Sequence, residues 1–482
     1  MTRSFFAITV LTLAILGFIV AGWCGLHQDE ALFLKAIYSP SNCQFSIKHG
    51  KIALMIMPYV GALKAAIYTV YLKVAPVTPL SLRLPMIVLL CGFTLLMIRL
   101  WCRLARLEIV AIVIAFASFH PIFVLTIVLD WGPVAFQLLL TSLGLHAWRR
   151  GWYGLVGLCA GLMIWDKAVA VWVLTGVTVS AAIFYRQELR KVLGWRFFTG
   201  LVIGALPYLY YYWKMRQIVI ATQAHLSSGG LYDKVMALRG TLDGSAMLSY
   251  LFRTDARPGQ VGLLIFLLLV MLAAITHPRR ITGFFALAMA IPLTLMLFTT
   301  GAGGSAHHHM LVWPLLSCFI CTALQPLRWP RWIFITTAAC VLLLQIAAWH
   351  PYFVAAKSNG PRREWTDAST KVVAYLQQPG VCKGGVYALD WGFSDNLNAL
   401  GAGKYFVDSA ADQWWLNPLP VSEQARAVQR AEKRDACLIE WADGDPFFPG
   451  SKDAVKSHLE HRKQMIFNDG HGNPSIRLWI DQ

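Results

Sequence analysis

Acidic side chains are scarce in this chain. Its 482 residues carry 25 Asp and Glu against 42 Lys and Arg, and charged residues of both signs make up 14% of the total. Soluble domains hold about 25% charged residues, so water cannot solvate this surface along its whole length. With 57% hydrophobic residues, lipid must replace water over much of it. Other absences narrow the function. There is no G-x-x-x-x-G-K-[ST] phosphate loop and no dinucleotide fingerprint, which leaves energy coupling through a bound nucleotide without support. No paired C-x-x-C zinc pattern exists. Cys318 and Cys321 have that spacing but sit inside an apolar run, where they read with Cys91, Cys102, Cys159 and Cys340 as small hydrophobes. In a soluble protein the net charge of +17 would point to nucleic acid. Here Lys and Arg gather at the ends of apolar runs, the pattern of cytoplasmic loops, and no nucleic-acid partner is expected.

What is abundant is apolar sequence. Residues 5–24 form a run too long for a cleaved signal, with no small-residue cleavage site after it. It reads as a retained anchor running from cytoplasm to outside. Further runs lie at 82–98, 109–129, 133–148, 152–166, 168–185, 197–213, 260–276, 281–300, 310–325 and 332–349. A span needs about 20 apolar residues, and 133–148, 152–166 and 310–325 are short by that measure. Counting them nevertheless places Arg99/Arg103/Arg106, Arg149/Arg150, Arg186/Arg190/Lys191/Arg196, Arg279/Arg280 and Arg328/Arg331 in alternate, short, inside loops. The expectation is an α-helical polytopic membrane protein of about eleven transmembrane helices, in the cell (inner or plasma) membrane, with its N-terminus cytoplasmic.

Two outside loops, 25–81 and 214–259, complete a membrane domain of residues 1–349. Within the first, Ile52–Val74 mixes apolar residues with Lys64 and Lys73 and reads as one or two amphipathic helices lying in the interface. Residues 350–482 have soluble composition and predict a small extracytoplasmic α/β domain with a partly parallel sheet. A helix is expected at Trp365–Leu376, strands at Gly385–Leu389, Tyr405–Val407 and Cys437–Ile439, helices near Ser422–Lys433 and Lys452–Arg462, and a final hairpin over Lys463–Ile480. Cys382 and Cys437 would both face an oxidising compartment; a bond between them and two separate buried thiols both stay open.

The chemistry-bearing residues collect at the outer face. His27-Gln28-Asp29-Glu30 follows the first run directly. Adjacent carboxylates there are either a solvated acidic loop or a general base at the mouth of a lipid-lined cleft. Asp130, in Leu129-Asp130-Trp131-Gly132-Pro133, falls on the same side at the same depth; a helix-connecting turn is the alternative reading. Lys167 follows Trp165-Asp166 between two runs, and Arg83 opens another in Leu82-Arg83-Leu84-Pro85. An ionisable residue at a membrane boundary is functional unless it only snorkels. His307-His308-His309 close the glycine-rich stretch Gly301–Ala306. Consecutive histidines do not share a helix face, so a three-histidine zinc site is not expected. One or two of them could bind a phosphate or hold a metal, or be structural. Carboxylates beside phosphate-sized cations suit a hydroxyl nucleophile and a phosphate leaving group.

At these residues the sequence resembles the GT-C glycosyltransferases, in the broad group of protein O-mannosyltransferases and lipid A aminoarabinose transferases (glycosyltransferase family 39-like). Members carry an acidic motif after the first span, here Asp29-Glu30, and a second acidic position in the next outside loop, here Asp130. The glycines leading to a Lys resemble Gly157 through Lys167. The Arg-Leu-Pro at Arg83 and the His-rich loop before the run containing Pro314 are also similar. His27-Gln28-Asp29 approximates the His-x-Asp form of other GT-C branches. The resemblance covers roughly residues 1–350. It implies transfer of a sugar from a polyprenyl-phosphate donor to a hydroxyl of an acceptor glycolipid, glycan or protein, with inversion. Asp29 would be the base, with Asp130 orienting the acceptor or serving as the alternative base and Glu30 a further catalytic carboxylate; Lys167, Arg83, His307 and His308 would meet the donor phosphate. No cofactor is required, and a divalent metal stays open. A transporter or flippase of lipid-linked glycans is the competing class, though no internal repeat is visible. A ligase or polymerase using a diphosphate-linked oligosaccharide is the third.

Overall fold

A computed structural model of the chain describes residues 2–132, 134–223, 230–299, 303–404, 407–409, 436–443 and 459–480. Short turns aside, the membrane part contains α1 (Thr2–Ala21), the single turn α2 (Gln28–Ala31), α3 (Leu63–Tyr71), α4 (Pro79–Leu104), α5 (Leu107–Val113), α6 (Pro121–Val128), α7 (Ala135–Arg149), α8 (Tyr153–Asp166), α9 (Ala170–Phe184), α10 (Trp195–Gln223), α11 (Leu231–Asp243), α12 (Val261–Thr276), α13 (Arg280–Phe298), α14 (Ala306–Met310), α15 (Trp313–Leu324) and α16 (Arg331–Ser358). Each of the eleven apolar runs coincides with helix.

By length and composition alone, Ser4–Ala21, Pro79–Leu104, Arg280–Phe298 and Arg331–Ser358 can cross a membrane. Leu107–Ser118 with Pro121–Val128, bent by 57°, and Arg186–Val192 with Trp195–Arg216, bent by 63°, qualify as pairs. The first bend has local causes: a π-helical stretch at Ile114–Ser118 and Pro121, which has no N–H to continue the ladder. Every residue of α15 is buried, the mark of a helix at the centre of a bundle. By contrast α10, α12 and α16 turn out Val202, Ile203, Leu206, Leu268, Leu272 and Leu343, an apolar exterior suited to hydrocarbon. Helices α8 and α10 cross with backbones in contact. A Cβ on Gly157 would lie 1.9 Å from the Phe197 carbonyl oxygen, and one on Gly200 2.1 Å from that of Gly154. The glycines ahead of Lys167 therefore serve helix packing.

The first long loop departs from expectation. Ile52–Met57 is not helical: it is strand β2, antiparallel to β1 (Phe45–Ile47) and to β3 (Val60–Gly61). Lys48, His49 and Gly50 all take positive φ (51°, 56° and 81°) and make a hairpin turn that helical periodicity cannot anticipate. Only Leu63–Tyr71 keeps the expected helix. The 214–259 loop is also more regular than its composition implies, since α10 reaches Gln223 and α11 follows.

Helix α16 continues past residue 350 to Ser358. Beyond it lie α17 (Ala368–Leu376), α18 (Ser394–Leu400) and a five-stranded sheet of β4 (Val386–Ala388), β5 (Val407–Ser409), β6 (Cys437–Trp441), β7 (Lys463–Asn468) and β8 (Pro474–Ile480), in the order β5-β4-β6-β8-β7. β4 runs parallel to β5 and β6, and the β7–β8 hairpin is antiparallel. Val372, Leu376, Phe393, Leu397, Ile439, Trp441 and Leu478 fill its core. A 3₁₀ turn at Arg363–Trp365 delays α17 by three residues relative to expectation, and α18 was not anticipated. The helix expected at Ser422–Lys433, residues 452–458 of the helix expected at Lys452–Arg462, and residues 405–406 of the strand expected at Tyr405–Val407 lie outside the described residues.

Cys382 and Cys437 are bonded, with Cα atoms 5.3 Å apart, across a separation of 55 residues. Closing a loop of that size restricts the unfolded chain by about 4 kcal/mol. Replacing both cysteines by serine should lower the stability of the C-terminal domain by about 2–4 kcal/mol in denaturant titrations. An unchanged midpoint would contradict a stabilising bond there.

Candidate active site

Four consecutive residues after α1 point in four directions. The His27 ring caps α2: its Nδ1 accepts the Asp29 N–H at 3.0 Å, and the Glu30 carboxylate returns to the His27 N–H at 3.3 Å. An accepting Nδ1 leaves the proton of the neutral ring on Nε2, which meets the Tyr250 hydroxyl at 2.9 Å. Burial, helped by the nearby Arg83 charge, holds the ring neutral by pulling its pKa down to about 3. Gln28 turns to the C-terminal domain. Glu30 turns to α4. Asp29 alone faces the cavity.

Glu30 and Arg83 are a buried bidentate pair, with Nε–Oε1 and Nη2–Oε2 both 2.7 Å. The remaining Arg83 donors go to the carbonyls of Ala21 at 2.7 Å, Cys24 at 2.8 Å and Gly25 at 2.6 Å. A guanidinium has five N–H groups, and all five are engaged. This corrects two expectations. Arg83 has no donor left for a phosphate, and the Glu30 carboxylate, bonded to Arg83 and the His27 N–H, is not among the residues that line the cavity. Arg83 caps the Ala21 carbonyl at the end of α1 and ties the following segment to α4, with Glu30 neutralising its charge.

A small cavity is lined by Asp29, Leu32, Phe33, Ile56, Val60, Gly61, Lys64, Asp130 and Asp166. Asp130 takes a left-handed conformation (φ 46°) that turns its side chain inward, where Oδ2 pairs with Lys64. The Lys64 ammonium also lies 3.8 Å from the centre of the Phe33 ring. Asp166, the last residue of α8, accepts from Gln137 at 2.9 Å. Asp29 is half-buried, and its carboxylate makes no hydrogen bond or ion pair among the described residues. Lys167 is 3% exposed, and its ammonium likewise has no partner there. An antiparallel bridge between Val60 and Lys167 ties β3 to the end of α8, bringing the two sides of the cavity together.

Expected site residues thus divide. Asp29, Asp130 and Lys167 come together. Lys64 joins them although its sequence position reads as an interfacial helix; a lysine amid apolar residues was the available signal. His307 packs edge-on against Trp131, ring centres 4.7 Å apart, and lies 4.1 Å from His308. Burial and the charge of Lys167 push both histidines well below the usual range, so they are neutral donors rather than cations. His309 turns away to Thr241. Among the described residues no three His, Cys, Asp or Glu side chains assemble as a metal-binding group.

Burial pushes the Asp29 pKa up to about 6; the Lys167 ammonium opposes the rise and Asp130 adds to it. Burial pulls Lys167 down to about 8 against the charges of Asp29, Asp166 and Asp130. At neutral pH the pair is mostly carboxylate and ammonium, each close to its titration range.

No protein-family model matches this chain, and no curated protein matches it in sequence. Solved structures do. The chain is similar to ArnT from Cupriavidus metallidurans bound to undecaprenyl phosphate, at 11% identity over 99% of this chain and 98% of that one, with a TM-score of 0.63. It is similar to the apo state of that protein at 12% identity over the same shares, TM-score 0.61. It is also similar to the Archaeoglobus fulgidus oligosaccharyltransferase in complex with Zn and sulfate, at 14% identity over 99% of this chain and 73% of that one, TM-score 0.52. At these identities the likeness is one of fold. The chain has the GT-C fold, as a polytopic helical membrane protein with a small C-terminal α/β domain.

Removing a neighbouring cation disfavours a carboxylate. Lys167→Met should therefore move the Asp29 titration, followed by isotope-edited infrared spectroscopy of the carboxyl stretch, from a midpoint near 6 to higher pH. A midpoint that stays put would separate the two groups electrostatically.

Proposed function

We propose that this protein transfers a monosaccharide from a polyprenyl-phosphate donor to an acceptor hydroxyl, with inversion, at the extracytoplasmic face of the membrane. The observation that carries the reading is the Asp29 carboxylate in a cavity at the ends of membrane helices, within electrostatic reach of the Lys167 ammonium, neither group having a hydrogen bond or ion pair among the described residues. A base with a cation close by matches a reaction that removes a proton and releases a phosphate. The ArnT structure that shares this fold holds undecaprenyl phosphate, a molecule of the proposed leaving-group class.

Asp29 takes the proton from the acceptor hydroxyl as its oxygen attacks the anomeric carbon. The bond from that carbon to the phosphate oxygen breaks on the opposite side, and polyprenyl phosphate departs. Lys167 meets the charge that develops on the departing oxygen. His307 and His308, neutral and close to Lys167, supply hydrogen bonds. Asp130, held by Lys64, orients the acceptor. Two roles weighed from sequence are withdrawn: Arg83 and Glu30 hold the scaffold. The orientation rests on charge. The site ends of α4, α7 and α8 are opposite their basic ends at Arg99–Arg106 and Arg149/Arg150, which suit the cytoplasmic side.

Purified protein in lipid nanodiscs, offered polyprenyl-monophosphate sugars, a polyprenyl-diphosphate oligosaccharide and a nucleotide sugar, should transfer only from the monophosphate. The product should carry the inverted anomer by NMR. Transfer from the diphosphate alone, or movement of a lipid-linked glycan across the bilayer without transfer, would overturn this reading.

A further inference from the structure

The residue next to the proposed base is held from another domain. Both poles of the Gln28 amide are engaged by the start of α18, more than 360 residues away in sequence. Its Nε2 donates to Asp395 Oδ2 at 2.9 Å and to Ser394 Oγ at 3.1 Å. Its Oε1 accepts the N–H of Asp395 at 2.9 Å and that of Asn396 at 3.4 Å. Gln28 is 3% exposed and Asn396 fully buried, so these bonds form out of water, where each lost partner is costly.

The clasp has neighbours. Asn396 Nδ2 donates to the Leu26 carbonyl at 3.3 Å, and the Gly25 N–H donates to the Trp365 carbonyl at 2.7 Å. The approach at Gly25 is so close that a Cβ would sit 2.0 Å from the Thr366 oxygen. On the membrane side, Arg83 grips Glu30 and the Gly25 carbonyl. Helix α2 has only four residues. Such a turn has almost no stability of its own, so its orientation is set by what grips it. Gln28 and Glu30 are gripped from opposite domains, and Asp29 lies between them, its carboxylate without a hydrogen bond among the described residues.

We infer that Gln28 is a positioning residue through which the C-terminal domain fixes the aim of Asp29, so that the soluble domain is part of the machinery of transfer. This rests on the reading of Asp29 as the base. A near-attack geometry tolerates little displacement, and a shift of about 1 Å costs on the order of 10²-fold in rate. The clasp should therefore act on kcat more than on donor KM, because Lys167 and the histidines stand on other elements.

The test uses the full chain in nanodiscs with a polyprenyl-monophosphate sugar. Gln28→Ala should lower kcat, counted per folded protein, by about 10²-fold with donor KM within about twofold, even where its thermal midpoint falls. Gln28→Glu retains the acceptor but loses the donor and faces the Asp395 carboxylate, so it should be as impaired. Adding Asp395→Asn to Gln28→Glu returns a donor opposite the new acceptor and should restore at least tenfold. That rescue carries the test where Gln28→Ala does not fold. The inference is overturned by a normal kcat in Gln28→Ala, by a rate loss that only tracks loss of folded protein, or by a double variant no better than Gln28→Glu. Asp29→Asn is run alongside. If it is inactive while Gln28→Ala is normal, the clasp fails and the base stands; if it is fully active, the base assignment falls and the clasp with it.

Discussion

The site depends on one buried guanidinium. Arg83 satisfies the Ala21 carbonyl at the end of α1, the Cys24 and Gly25 carbonyls in the segment that follows, and both oxygens of Glu30. Breaking such a pair from one side leaves an uncompensated buried charge and costs about 3–5 kcal/mol. Here it would also release the turn that carries Asp29. The pair lies between α1 and α4, two helices long and apolar enough to span a membrane, so the aim of α2 is tied to the rigid part of the bundle.

With Arg83 in place, the carboxylates around the cavity differ by their partners. Glu30 belongs to Arg83, Asp130 to Lys64 and Asp166 to Gln137. Asp29 is left without a hydrogen-bonding group among the described residues. A carboxylate that must accept a proton benefits from that freedom, since each hydrogen bond to its charged form would lower its basicity. Lys167 is its counterpart: a buried ammonium with only long-range compensation, suited to an anion that arrives and leaves with substrate.

Much of this was legible in the chain. The apolar runs located the helices, because 3.6-residue geometry buries or lipid-exposes whole segments whatever their tertiary partners. Asp29, Asp130 and Lys167 were legible because ionisable groups in so apolar a chain need a reason to be there. Arg83 carried the same signal, yet its role depends on Glu30 and on backbone carbonyls, which a linear pattern does not reveal. Lys64 carried that signal too but read as part of an interfacial helix, and the strand at Ile52–Met57 was hidden by a turn built on positive φ. Gln28 gave no signal at all: a neutral glutamine becomes informative only once α18 is seen against it.

In the proposed mechanism Asp29, not Asp130, is the base. Transfer rates of the wild-type protein, Asp29→Asn and Asp130→Asn, measured under donor saturation, test it most directly. The account predicts a loss of about 10²–10⁴-fold for Asp29→Asn with donor binding retained, and a smaller loss for Asp130→Asn. Near-normal turnover in Asp29→Asn, with folded but inactive Asp130→Asn, would contradict it.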